Sequence, residues 1–135
     1  MTNNKRPNRA DAWDTFWRSA PKIIKEHLTL THHDKGIHKM QITLRIETIR
    51  KGRKGQSFKI GKTGNPDERV MYKDYFGKYK EMHLLYQSLY PEVISELERH
   101  FISKYYRKTK NENIDKAGTG KMNSRDGYYF LYLMI

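Results

Sequence analysis

Cysteine is absent from this 135-residue chain. That excludes disulfides, a thiolate nucleophile and any cysteine-ligated zinc. Acidic residues are scarce beside basic ones, 15 against 27, which gives a formal charge of +12. Such a surplus says nothing about fold. It selects negatively charged partners, nucleic acid first and an anionic membrane surface second. No apolar run approaches the roughly 18–20 residues that span a bilayer. The opening M-T-N-N-K-R-P-N-R holds no apolar stretch of the secretory kind. Together these absences point to the cytoplasm. A hydrophobic content of 36% supports one modest core, hence one domain.

Proline is sparse too, with four residues, so its positions punctuate the chain. Pro66 stands inside the most informative stretch, Phe58 to Lys73, F-K-I-G-K-T-G-N-P-D-E-R-V-M-Y-K. Phe58 and Ile60 alternate with polar neighbours, as a half-buried strand end does. Gly61 and Gly64 punctuate the exit, where backbone turns or approaches a ligand closely. Asn65 predicts an N-cap, Pro66 the first helical position, and Asp67 and Glu68 complement the positive helix end. Arg69 then sits one turn in, near Lys59, Lys62 and Lys73. An arginine on a strand-turn-helix unit is either a rigidly aimed phosphate ligand or an exposed partner of its acidic neighbours.

Elsewhere the periodicities predict a small α/β domain. Residues 1–10 read as a flexible basic tail. Residues 11–40 read as an N-terminal helical extension and loop, with helices near 11–19 and 22–28 interrupted by Pro21. Trp13, Phe16 and Trp17 share one stripe there, a core or dimer face. Thr31 to Lys39 reads as a loop carrying His32, His33 and His38, better taken as surface histidines than as a metal site. Ile42, Leu44, Ile46 and Thr48 alternate with polar residues and predict a half-buried strand. Arg50, Lys51, Arg53 and Lys54, beside Gly52 and Gly55, then read as a basic hairpin loop. It either grips phosphates or keeps a sheet edge soluble. A further strand is predicted over 82–89, a helix from Pro91 to about Tyr106, a polar loop over 107–123, and a last aromatic strand over 127–133.

Lys59-Ile60-Gly61, Lys62-Thr63, the helical Arg69 and the later Glu98-x-x-Phe101-Ile102-x-x-Tyr105 resemble the GIY-YIG nucleases, in the phage-type branch where lysine replaces the tyrosine of YIG. The likeness covers roughly Gln41 to Phe130, and residues 41–135 are assigned to that domain. It implies a mainly antiparallel three-stranded sheet flanked by helices and a DNA endonuclease that uses magnesium or manganese. Arg69 would stabilise the phosphoryl charge and Glu98 would bind the metal. Glu96 is the alternative ligand on the same helix. Lys59, Lys62 and Lys73 would hold phosphate or activate water, and Arg50, Lys51, Arg53 and Lys54 would bind DNA. The family places a tyrosine in its first strand to orient or deprotonate water. Ile42 to Arg50 has none, so Tyr72 or His38 stands in as candidate. A non-catalytic nucleic-acid-binding module and a basic RNA-associated protein remain the alternatives.

Overall fold

The computed structural model describes residues 20–26, 28, 35–108, 111–113 and 122–135. The basic tail, the 11–19 helix with its tryptophans, and His32 and His33 lie outside the described residues. The order is β1 (Lys22–Ile24), α1 (Lys35–Lys51), β2 (Lys59–Thr63), a short α2 (Pro66–Arg69), a 3-10 turn (Lys73–Tyr75), β3 (Glu81–Ser88), α3 (Pro91–Tyr105) and β4 (Tyr129–Met134). The fold is α/β.

The sheet has four strands, ordered β1-β3-β4-β2, rather than the expected three. β4 runs antiparallel to both β2 and β3, while β1 adds parallel to β3. The added strand is drawn from the segment expected to be helical over 22–28. Pro21 has no N–H to continue a helix, and Ile23 and Ile24 are β-branched, which suits a short edge strand. Ile23↔Met82 is the central register pair.

The larger correction is α1. The alternation Ile42, Leu44, Ile46, Thr48 predicted a strand, yet the segment is helical and Leu44 is 62% exposed. A longer stripe wins: His38, Ile42, Ile46 and Ile49, spaced 4, 4 and 3, are all buried. A period-2 pattern over seven residues cannot outweigh a helical one over twelve. Thr43 and Thr48 donate their hydroxyls back to the carbonyls of Lys39 and Leu44, which accommodates these β-branched residues in the helix. Arg50 and Lys51 lie at the negative helix end. The expected hairpin loop is therefore a helix C-terminus. The boundary drawn at residue 41 falls inside α1.

Helices α1 and α3 cover one face of the sheet. Ile42, Ile46 and Ile49 meet Leu97, Phe101 and Tyr105 over Ile60, Leu131 and Leu133. Fully burying one such side chain contributes about 1.5–3 kcal/mol. The other face carries a tyrosine-rich cluster: Val70, Tyr75 and Tyr79 pack on Met82, Leu84, Tyr132 and Met134. Alternation along β4 produces this division, with Leu131 and Leu133 facing the helices and Tyr132 and Met134 facing the tyrosines. In β3 an irregularity between Leu84 and Tyr86 turns both Leu85 and Tyr86 to the helical face.

The free edge of β2 is covered by side-chain amide. Asn113 accepts from the Ile60 N–H at 3.0 Å and donates to the Ile60 carbonyl at 2.8 Å. Glu112 N–H donates to the Phe58 carbonyl beside it. These bonds satisfy backbone that would otherwise template pairing with another chain.

Candidate active site

The site begins at Gly61. In register it faces Tyr132, and a Cβ there would lie 2.3 Å from the tyrosine hydroxyl oxygen. Only glycine lets the phenol ring cross the strand. Its hydroxyl ends between two partners: Arg69 Nη1 donates to it at 3.3 Å, and the Tyr75 hydroxyl lies 3.2 Å away. Tyr132 is 1% exposed. Burial first, then Tyr75, drives its pKa up, and the neighbouring Arg69 only partly offsets them. The phenol therefore stays neutral at physiological pH. For Arg69 burial opposes the charge, but the oxygens of Tyr132, Tyr72 and Tyr75 outweigh it and hold the pKa above the ordinary value. The result is a fixed cation braced by a neutral hydroxyl.

Sequence reasoning missed Tyr132. The signal was present as the alternation of Phe130, Tyr132 and Met134 in the last strand. Its partner Gly61 lies far away in sequence, however, and only the β2–β4 pairing brings them together.

The helix bearing Arg69 is one turn long and ends there. Tyr72 and Lys73 lie beyond it in the chain. Tyr72 nevertheless lies beneath the Arg69 guanidinium, 4.8 Å from carbon to ring centroid, because the chain continues in hydrogen-bonded turns. Lys73 is exposed at the start of the 3-10 turn. Lys59 places its ammonium 5.8 Å from the Tyr75 ring. Arg69, Tyr72 and Lys59 thus gather on the tyrosine face. His38 does not join them. It is buried in α1, 5.2 Å from the Tyr86 ring.

Asn65 does not cap the helix with its side chain. Its Nδ2 donates to the Asn123 carbonyl at 2.8 Å, and its Oδ1 accepts from the Arg125 N–H at 2.9 Å. Its backbone carbonyl takes the N–H groups of Glu68 and Arg69. The side chain is a clasp between the Arg69 turn and the segment entering β4. Gly64 permits the close approach, since a Cβ there would lie 2.1 Å from the Asn123 carbonyl oxygen. Arg125 and Glu68 add an exposed ion pair at 2.7 Å. Asn65→Ala should lose two net hydrogen bonds and cost about 1–3 kcal/mol in a thermal melt. Asn65→Asp separates clasp from cap. Aspartate caps a helix as well as asparagine does, but it would set a carboxylate against the Asn123 carbonyl. It should therefore melt well below wild type, and a wild-type melting temperature for Asn65→Asp would refute the clasp.

Lys62 leaves β2 towards α3, opposite in alternation to Gly61. Its ammonium donates to Ser95 Oγ at 3.1 Å and lies 3.7 Å from Glu98 Oε1. Both Lys62 and Glu98 are buried, at 8% and 5% exposure. The Arg69 group and the Lys62–Glu98 pair thus flank the end of β2 from its two sides. Glu96 is partly buried. No cluster of three or more His, Asp or Glu occurs among the described residues. Magnesium often takes only one or two carboxylates and keeps its waters; Glu98, the carboxylate expected to hold it, is buried with the Lys62 ammonium 3.7 Å away.

The four cations assigned to DNA divide into two kinds. Arg50 stacks 4.4 Å over Phe58 and pairs with Glu47. Arg53 grips Glu81 through Nε and Nη2 and reaches the Ile49 carbonyl. The hydrogen bond from Arg53, and that from His83, hold the Glu81 carboxyl below the usual range despite partial burial. Both arginines are therefore structural. Lys51 and Lys54 are exposed. Arg53→Ala should cost about 1.5 kcal/mol, the low end for a charged hydrogen bond, because a quarter of each partner meets water. Lys51→Ala with Lys54→Ala should leave the melting temperature unchanged. It should reduce the salt slope of DNA binding by about 2. An unchanged slope would remove these lysines from the interface.

A pocket of about 170 Å³ opens beside Arg69, lined by Thr63, Asn65, Glu68, Tyr72 and Asn123 among others. No described helix is long and apolar enough to cross a membrane. Compared with protein-family models, with curated proteins and with solved structures, the chain finds no match in any of the three.

Proposed function

We propose that this protein is a metal-dependent DNA endonuclease of the GIY-YIG kind, with the active-site hydroxyl supplied by the last strand instead of the first. The observation that carries it is the bond between Arg69 and Tyr132 across Gly61. β4 pairs antiparallel with the Lys59-Ile60-Gly61 strand, where the resemblance calls for the tyrosine-bearing first strand. On this reading the chain order differs, and Tyr132 takes the place of the missing first-strand tyrosine beside Arg69.

Arg69 binds and neutralises a phosphoryl oxygen as charge accumulates, held by a partner that needs no reorganisation. Tyr132, neutral and buried, acts by fixing the guanidinium. Lys59 and Lys73 hold the phosphates on either side. Glu98 would anchor a magnesium ion, which supplies charge neutralisation at the reacting oxygens. A net charge of +12 over the whole chain draws the polyanion to the protein.

The second reading is a binding module without catalysis. The pairing of Glu98 with Lys62 favours it, as does the firmly held Tyr132 proton. Nicking of supercoiled plasmid separates the two. The enzyme reading expects nicked circles with magnesium or manganese and none in chelator. Tight DNA binding with no cutting under either metal would leave the binding module standing.

A further inference from the structure

We propose that the pocket beside Arg69 receives one unpaired nucleotide, with its base against Tyr72 and its phosphate on Arg69. This rests on the nucleic-acid reading above and narrows its substrate to strands that present an unpaired base.

The pocket's volume of about 170 Å³ suits a single ring system; a cavity near 150 Å³ accommodates benzene. Its walls match what a splayed base needs, an aromatic surface and hydrogen-bonding edges. Tyr72 is 50% exposed, whereas Tyr75, Tyr79 and Tyr132 in the same cluster are 6% exposed or less. Its ring is braced by Tyr75, stacked at 5.9 Å and 20°, and by the Arg69 guanidinium. The exposed half of this braced ring is the surface a base would lie against. Thr63, Glu68 and Asn123 supply polar groups around it.

Glu68 sets the orientation. Its Oε1 is held by Arg125 at 2.7 Å, and its carboxylate accepts from a base amino group. The phosphate belongs on the Arg69 cation and the base amino group on Glu68, both of which line the pocket. A fully paired duplex offers no base to this pocket.

The test uses a DNA duplex with one unpaired 2-aminopurine and a fully paired control of the same sequence, both in chelator to prevent cutting. The bulged DNA should bind tighter by about 5- to 150-fold, the range of one base–aromatic stack. Its 2-aminopurine fluorescence should fall on binding. Tyr72→Ala should abolish the preference and the quenching, while Tyr72→Phe keeps both. The ring is half exposed, so neither change threatens the fold. Equal affinity for the two duplexes with no quenching overturns the pocket and leaves the nucleic-acid reading intact. Quenching that survives Tyr72→Ala also overturns it. Binding to neither duplex overturns both readings.

Discussion

Arg69→Ala is expected to slow plasmid nicking by about 10²–10³-fold, the loss seen when one preorganised charge-stabilising donor is removed. The effect should fall on the cutting step more than on the fold. Tyr132 keeps its contact with the Tyr75 hydroxyl, and the buried tyrosine cluster does not need the guanidinium to stay packed. The melting temperature should therefore move little. Arg69→Lys should not restore the rate. An ammonium is a single compact charge, whereas the guanidinium can bond Tyr132 with one nitrogen and a phosphoryl oxygen with the others. Rates measured with saturating plasmid decide it. Nicking by Arg69→Ala within a few-fold of wild type would dismiss Arg69 from the chemistry.

Much of the frame was legible in the sequence. The start of the Pro66 helix, β3, the Pro91 helix and β4 fall close to where local signals put them, because proline and alternation act over a few residues, whereas β2 runs on through Gly61 to Thr63. α1 was misread because two periods share the same isoleucines. Ile42 and Ile46 satisfy both a strand and a helix, and only His38 and Ile49 break the tie. The site was half legible. Arg69 could be aimed from its own strand-turn-helix. Tyr132 could not, since its place depends on which strand pairs with β2. The same limit applies to Asn65. Its sequence neighbours make it a cap, and its partners Asn123 and Arg125 come from the segment before β4. Arg50 and Arg53 mislead for a related reason. A run of cations reads as a phosphate grip until Phe58, Glu47 and Glu81 arrive from elsewhere.

Lys62→Met is expected to destabilise the protein by about 3–5 kcal/mol, because it removes one member of a buried ion pair. For a domain of this size that is a fall of roughly 10 °C or more in melting temperature. The pair raises a question that single substitutions cannot answer. Glu98→Gln should abolish nicking if Glu98 anchors the metal, but a damaged fold would abolish it too. The double change Lys62→Met with Glu98→Leu resolves this. A buried ion pair replaced by apolar side chains of similar volume costs little and is often stabilising. The double variant should thus melt near wild type. If it folds and binds DNA yet does not nick, the Lys62–Glu98 pair is needed for chemistry and not merely for packing. Glu96→Ala is the control on the same helix. It is turned about 200° from Glu98 by the helical period and should keep wild-type nicking. A stable double variant that still cuts at the wild-type rate would strip Glu98 of its metal. The search for an anchor would then pass to Glu96.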